Sequence, residues 1–203
     1  MAVRLNSLDD PRLSELLKKG SIGILPTDTV YGLVGSARSK QAITRLYSLK
    51  SRQRQPGTTI AASTDQLASI GFPIAALQHA KPFWPNALSV EMSASQIPDY
   101  LKVGQPVMAA RIPSHPELLA LLTQTGPLMT TSANTPGAPT SRTINEAAAY
   151  FGDEVDFYVD AGDLGERPPS TIIGFSEAGE VIVYRQGAVE VESLGLRPSS
   201  DQA

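Results

Sequence analysis

The chain has 203 residues, a length that suits one large domain or two small ones. With 41% hydrophobic and 18% charged residues its composition is that of a globular protein and argues against a disordered one. The net charge of −3 argues against nucleic-acid binding over the whole surface, although a local basic patch stays open. Cysteine is absent, which excludes disulfides, thiolate metal sites and a cysteine nucleophile, and with two histidines we expect no multi-histidine metal site.

The sequence contains no targeting or membrane signal. Residues 1–6 hold no apolar run of signal-peptide length, and no stretch approaches the ~18 apolar residues that span a bilayer. We therefore expect a soluble cytoplasmic protein. We also expect residues 1–10 to precede a single domain over residues 11–190, with residues 191–203 as a polar C-terminal tail.

Helix and strand signals alternate along the chain. Asp10 can cap a first helix that has Pro11 at its first position and ends near Gly20. Further helices are predicted from Ser39 to about Lys50 and over residues 64–70, 73–79, 116–123 and 143–150. Strands are predicted over residues 22–25, 58–62, 87–92, 107–110, 128–131, 155–159, 171–175 and 181–184, the last two joined by a hairpin turn. This alternation predicts one α/β domain with a mixed sheet.

Two polar segments in the first third of the chain could carry chemistry. The segment after the first strand offers Thr27 and Thr29 hydroxyls and a glycine that permits close approach, but it could equally be an ordinary capped turn. At the end of the second helix, Lys50 and Arg52 combine a point charge with a planar fork, a pair that suits a polyphosphate. The alternative there is a solvated basic helix end, since cations favour that end of the helix dipole.

Two more candidates follow later strands. Residues 130–137 carry hydroxyl and amide side chains that could hold phosphate oxygens or an adenine edge, or could form a polar loop before a helix. Arg111 ends a strand and could clamp a carboxylate, whereas His115 is better suited to capping the next helix than to acting as a base. Trp84 is expected in the core. No Walker-type or Rossmann-type glycine motif occurs.

The order of these segments resembles the YrdC family. Pro26-Thr27-Asp28-Thr29-Val30-Tyr31-Gly32-Leu33 resembles its N-terminal signature, Lys50-x-Arg52 its K-x-R motif and Ser132-Ala133-Asn134 its S-x-N motif. An intervening stretch, Arg111-Ile112-Pro113-Ser114-His115-Pro116, and a closing segment, Pro169-Ser170-Thr171-Ile172-Ile173 with Tyr184-Arg185-Gln186-Gly187, match as well. The resemblance spans roughly residues 10–190. It departs from the family pattern at Asn86 and Ala87, where the family often has Gly-Pro, and this change could reshape one cavity wall.

The resemblance implies a twisted open α/β sheet with flanking helices and a concave basic cavity. It also implies the formation of threonylcarbamoyl-AMP and pyrophosphate from L-threonine, bicarbonate or CO₂, and ATP, for tRNA modification. The implied catalytic residues are Lys50 and Arg52. ATP would be bound by Lys50, Arg52, Ser132, Asn134, Ser141 and Arg185, and threonine by Thr29, Arg111, Thr131 and Ser170. Mg²⁺ would be held mainly through ATP, with no metal ligands from the protein.

The implied partners are a separate threonylcarbamoyl-transferase acting downstream and, by direct contact, tRNA. Two alternatives remain at this stage. One is a non-catalytic RNA- or nucleotide-binding protein that uses the same basic cavity, and the other is a carbamoyltransferase-associated domain, which would need partner domains. Dependence of pyrophosphate release on threonine distinguishes the synthase from both.

Overall fold

A ten-stranded mixed sheet forms the centre of the computed structural model, which describes residues 1–50, 56–176 and 178–197. Its strands in chain order are β1 (Val3–Leu5), β2 (Ile22–Pro26), β3 (Tyr31–Ser36), β4 (Thr58–Ile60), β5 (Leu88–Ser93), β6 (Val107–Arg111), β7 (Leu128–Ser132), β8 (Phe157–Val159), β9 (Thr171–Phe175) and β10 (Val181–Arg185). They lie in the order β1-β8-β2-β3-β7-β4-β6-β5-β9-β10. Four neighbouring pairs are parallel (β1 with β8, β8 with β2, β4 with β6, β5 with β9) and the other five are antiparallel, so the predicted mixed sheet is confirmed.

The helices begin where their capping residues predict. They are α1 (Pro11–Lys18), α2 (Lys40–Leu49), α3 (Thr64–Ala68), α4 (Ile74–Ala80), α5 (Asp99–Lys102), α6 (Pro116–Thr125) and α7 (Ile144–Phe151). Asp10 accepts a hydrogen bond from the Arg12 N–H at 3.0 Å, and Ser39 accepts one from the Ala42 N–H at 3.2 Å. His115 caps α6 through Nδ1, as expected. No helix within the described ranges is long and apolar enough to cross a membrane.

Two separate apolar clusters cover the two faces of the sheet. On one face, leucines of α1 and α6 pack against Leu25, Val34 and Ile60. On the other, side chains of α2, α5 and α7 pack against Ile24, Leu33 and other strand residues, and Trp84 joins this cluster as predicted. Because each fully buried aliphatic side chain contributes roughly 1.5–3 kcal/mol, these clusters dominate the stability of the layers.

Strands β1 and β3 differ from the sequence prediction. The sequence predicts no strand over residues 31–36, but they form a fully buried strand that pairs antiparallel with β2. Two glycines weaken the strand signal of this segment, since glycine is depleted in strands. Gly35 is needed there because a Cβ would come within 3.0 Å of Ile22 and 3.4 Å of Ala42, on the approaching helix α2. Strand β1 lies inside the segment 1–10 and is joined to the sheet through β8.

Candidate active site

A cavity of about 220 Å³ opens above the middle of the sheet. Its walls come from the β2–β3 turn, from strands β3, β4, β6, β7, β9 and β10, and from the segment before β9. The described lining residues are Thr27, Thr29, Val30, Gly32, Pro56, Gly57, Thr58, Arg111, Thr130, Thr131, Ser132, Thr140, Pro169, Ser170, Ile172 and Arg185. Hydroxyl side chains are the commonest in this described lining, and its two charged residues are Arg111 and Arg185. The cavity therefore suits an anionic ligand that needs several hydrogen bonds.

The β2–β3 turn supplies the first hydroxyls. Thr27 Oγ1 donates to the Val30 carbonyl at 2.6 Å and accepts from the Thr29 N–H at 3.2 Å. The two threonine hydroxyls lie 3.1 Å apart, and both side chains are buried. The capped-turn interpretation is therefore correct, and the same turn also presents Thr29 to the cavity.

Two glycines allow the backbone to pass close to Thr130 at the floor of the cavity. A Cβ on Gly32 would lie 2.6 Å from Thr130 Oγ1, and one on Gly57 would lie 2.3 Å from the Thr130 carbonyl oxygen. Real Cβ atoms do not approach other atoms so closely, so a larger residue at either position would force strands β3, β4 and β7 to shift. These close approaches bring the Thr130 hydroxyl into the wall of the cavity.

Arg111 forms a buried ion pair with Asp28 at the end of β6. Arg111 Nη2 donates to Asp28 Oδ1 at 2.9 Å, and the two side chains are 4% and 2% exposed. Asp28 Oδ2 also accepts from the Ser114 N–H at 3.3 Å. Burial lowers the pKa of the Arg111 guanidinium and the Asp28 carboxylate opposes that shift, but arginine stays charged in either case. Arg111 Nε is buried and has no hydrogen-bond partner among the described residues, so the donor capacity of this guanidinium is not exhausted there.

Lys50 holds the loop that follows β7. Its ammonium donates to the Ser132 carbonyl at 2.9 Å, to the Asn134 carbonyl, and to Asn134 Oδ1 at 2.9 Å. Lys50 is only 4% exposed, so the alternative of a solvated basic helix end is wrong for this residue. It sits at the C-terminal cap of α2, which aims the side chain at the loop.

Further hydrogen bonds within the loop fix its shape. Ser132 Oγ donates to Asn134 Oδ1 at 2.7 Å, and Asn134 Nδ2 donates to the Ala138 carbonyl at 2.6 Å. Ser141 Oγ donates to the Ala133 carbonyl at 2.5 Å, which closes the loop. Ser141 lines a second cavity of about 480 Å³, which adjoins the first because Val30 and Thr140 line both.

Arg185 reaches the opposite wall from β10. Its Nε and Nη2 atoms donate to the Ser170 carbonyl at 3.0 and 2.8 Å, and Nη2 also reaches Ser170 Oγ at 3.1 Å. Ser170 Oγ in turn lies 3.0 Å from the buried hydroxyl of Ser89 on β5. This chain of contacts joins the sheet edge to the segment before β9.

The described residues that the sequence predicts for the site lie near one another, but they do not all line the main cavity. The main cavity is lined by Thr29, Arg111, Thr131, Ser132, Ser170 and Arg185. Lys50 and Asn134 support the loop at its rim, Ser141 faces the adjoining cavity, and Arg52 lies outside the described residues. Neither Asn86 nor Ala87 lines the main cavity among the described residues. No cluster of three or more histidine, aspartate or glutamate side chains able to hold a metal occurs in the described part of the chain.

Sequence reasoning missed the wall residues Thr58 and Thr140 and the ion pair of Asp28 with Arg111, and it placed Thr27 and Thr130 in candidate segments without assigning them a ligand. Thr58 and Thr130 lie inside strands, where threonine is common for reasons of strand propensity alone. The available signal was the run of hydroxyl side chains in each of these short strands, Thr58-Thr59 in β4 and Thr130-Thr131-Ser132 in β7.

Comparisons with known proteins agree with this geometry. Residues 15–187 match the sequence profile of the Sua5/YciO/YrdC family, described as "Telomere recombination". A Mycobacterium leprae protein named as a candidate threonylcarbamoyl-AMP synthase is 33% identical over 192 residues, which cover 91% of this chain and 87% of that protein. The threonylcarbamoyl-AMP synthase of Bacillus subtilis is 30% identical over 93% of this chain, but only over 57% of its own length.

A solved structure gives the same fold. Sua5 of Pyrococcus abyssi in complex with L-threonine superimposes with a TM-score of 0.81 at 25% identity, over 96% of this chain. This chain spans 59% of that protein, so the longer relatives contain further sequence. On the profile match and on the fold, the chain belongs to the Sua5/YciO/YrdC family.

Proposed function

We propose that the chain is an L-threonylcarbamoyladenylate synthase, a nucleotidyltransferase that forms threonylcarbamoyl-AMP and pyrophosphate from L-threonine, bicarbonate or CO₂, and ATP. The observation that carries the proposal is the position of Arg111 in the same hydroxyl-lined cavity as Ser132, beside the loop that Lys50 holds. One guanidinium for a carboxylate and one loop for a nucleotide thus share a single space. The names of the relatives, and the L-threonine in the Sua5 complex, support the same substrates.

The chemistry proceeds in two steps. The threonine amine adds to CO₂ and loses a proton, which gives a carbamate. A carbamate oxygen then attacks the α-phosphorus of ATP, the bond to the β-phosphate oxygen breaks, and pyrophosphate leaves. Transfer of this kind needs alignment and charge neutralisation more than a covalent nucleophile, in keeping with a chain that has no cysteine.

The proposed residue roles combine the family resemblance with the contacts of the described residues. Arg111 binds the threonine carboxylate, with Thr29, Thr131 and Ser170 placed to bind the rest of the amino acid. Ser132, Asn134 and Ser141 shape the nucleotide loop, and Arg185 faces the phosphates from the other wall. We assign Arg52 to the triphosphate as well.

Lys50 has a dual role in this proposal. Its ammonium already donates to three loop acceptors. It therefore contributes its positive charge to the phosphate region while it holds the loop, and a direct phosphate contact would exchange one of these bonds. Mg²⁺, held mainly by phosphate oxygens and water, would supply further charge neutralisation.

Two further parts of the proposal concern the setting of the reaction. We expect the product to pass to a separate transferase that modifies tRNA, and we expect the chain to act in the cytoplasm. Any direct tRNA contact would have to use a local basic surface, since the chain as a whole carries a net charge of −3.

An omission experiment tests the function. The full chain is incubated with ATP, Mg²⁺, L-threonine and bicarbonate, and pyrophosphate release and the mass of the nucleotide product are measured. We expect release only with all the substrates present and a product with the mass of threonylcarbamoyl-AMP. Pyrophosphate release that does not depend on threonine, or salt-sensitive RNA binding without any release, would contradict the proposal.

A further inference from the structure

Another cavity, which Arg111 does not line, lies among helix α4 and strands β5, β6, β9 and β10. It has a volume of about 420 Å³, within the range of roughly 300–1,000 Å³ that is usual for small-molecule sites. It shares no described lining residue with the site cavity. Its described lining includes Ala76, His79, Glu91, Val107, Phe175 and Tyr184.

The cavity exists because two neighbouring strands diverge. Strands β5 and β9 pair in parallel only as far as Val90 and Ile173. Beyond that point β5 continues to Ser93 alongside β6, whereas β9 continues to Phe175 alongside β10. Helix α4 lies against the resulting gap through Ala76 and His79. The space is thus a product of the strand topology, not of one poorly filled position.

Glu91 is the acidic residue in the described lining of this space. It alternates with the buried Val90 and Met92 on β5 and is itself half-buried. Its carboxylate has no hydrogen bond or ion pair with any described residue. Partial burial raises the pKa of Glu91, which reflects the cost of removing part of the hydration of this carboxylate. A positively charged occupant would remove this cost.

The remaining walls suit an occupant with an apolar body. The His79 and Phe175 rings are in contact, with centroids 4.3 Å apart. Val107 and Tyr184 are large hydrophobic side chains that stay 41% and 54% exposed, and both line the cavity. Apolar and aromatic walls stabilise an apolar ligand, and aromatic faces also attract cations.

We propose that this cavity binds a small organic cation, an ammonium or guanidinium group on an apolar body, with Glu91 as its counter-ion. A metal ion fits less well, because one carboxylate among apolar walls supplies too few oxygen ligands. An anion is excluded by the charge of Glu91. The bound cation would lie near the proposed active site, since Glu91 also lines a depression of about 240 Å³ that reaches Thr58 and Ile172 in the wall of the first cavity.

The proposal is tested by titrating the full chain with three probes of similar size. These are 2-phenylethylammonium, the neutral 2-phenylethanol and the anionic 3-phenylpropanoate, with binding followed by calorimetry and by amide chemical shifts. We expect the ammonium to bind at least tenfold more tightly than the alcohol, and the carboxylate not to bind. The shifts should cluster on α4, β5 and β9.

Three variants separate the site from nonspecific association. Glu91→Gln should weaken ammonium binding at least tenfold, and Glu117→Gln, at an exposed position on α6, should leave it unchanged. Ala76→Leu should weaken binding of the ammonium by filling the space. Equal affinity for the ammonium and the alcohol, retained binding in Glu91→Gln, or shifts centred on Arg111 would overturn the proposal. If Glu91→Gln does not fold, the comparison of the three probes and the Ala76→Leu variant still test the proposal.

Discussion

Asp28 is the residue on which the proposed threonine site most depends, although it does not line the cavity. Its carboxylate binds Arg111 with one oxygen and the Ser114 N–H with the other, so it fixes both the guanidinium and the backbone that follows β6. Both side chains of the pair are almost fully buried. In such a place, removing one partner leaves a buried charge uncompensated, which costs about 3–5 kcal/mol.

We therefore expect Asp28→Asn to act on stability and on substrate binding together. The free energy of unfolding should fall by about 3 kcal/mol, measured by urea denaturation, because the Arg111 charge loses its counter-ion. The KM for threonine should rise more than the KM for ATP, because the guanidinium is no longer held in one orientation.

A matched control comes from the surface. Asp99 forms an ion pair with Lys102 but is 91% exposed, so Asp99→Asn should change stability by less than about 1 kcal/mol and should leave both KM values unchanged. Asp28→Glu, which keeps the charge, should recover part of the threonine affinity. If Asp28→Asn loses stability but keeps the wild-type KM for threonine, Asp28 has a purely structural role.

At the scale of single elements, the sequence predicts helices better than it predicts walls of the cavity. Helix starts follow from local chemistry, as at Asp10 and Ser39, where the capping side chain and the backbone N–H from which it accepts are only a few residues apart. Strand β3 is not predicted because its two glycines lower its strand propensity, and the close approach that Gly32 permits is to Thr130, which is distant in sequence. The ion pair of Asp28 joins residues 83 positions apart, and no local pattern announces such a contact.

The loop after β7 gives a prediction at this scale. Lys50 supplies three of the hydrogen bonds that hold it, so Lys50→Met, which keeps most of the length of the side chain and removes its ammonium, should loosen residues 132–141. Amide hydrogen exchange should quicken at least tenfold at Ala133 and Ser141, whose N–H groups donate to the Tyr31 and Ala133 carbonyls.

Lys40→Met is the matched control, since Lys40 is an exposed residue on the first turn of the same helix. It should leave the exchange of the loop unchanged. Should Lys50→Met show wild-type exchange in the loop together with reduced pyrophosphate release, the lysine would act on the phosphates alone, and its role in holding the loop would have to be abandoned.

At the scale of the molecule, the strand order explains why distant segments share one cavity. Strands β3, β7, β4 and β6 are neighbours in the sheet, although their residues come from four separate parts of the chain. Gly32 pairs with Ser132, Thr58 with Thr130, and Ile60 with Arg111. The mixed sheet could be predicted from alternating helix and strand signals, but this order could not, because it depends on long-range pairing.

The folding of the whole molecule should respond to alkaline pH through Tyr158 on β8. Burial, helped by the nearby Asp153 charge, raises the pKa of Tyr158 to about 12, and its hydroxyl donates to the Gly152 carbonyl at 2.7 Å. The folded state then holds this proton more tightly than the unfolded chain, where the pKa is near 10. Its stabilising contribution is complete below pH 10 and is lost as the pH rises towards 12, by at most about 2.5 kcal/mol. The free energy of unfolding, measured at pH 9–12, should therefore fall less steeply with pH for Tyr158→Phe than for wild type. Tyr184→Phe, at a side chain that is 54% exposed, is the control and should follow wild type. Parallel curves for Tyr158→Phe and wild type would show that the Tyr158 phenol titrates alike in the folded and unfolded states.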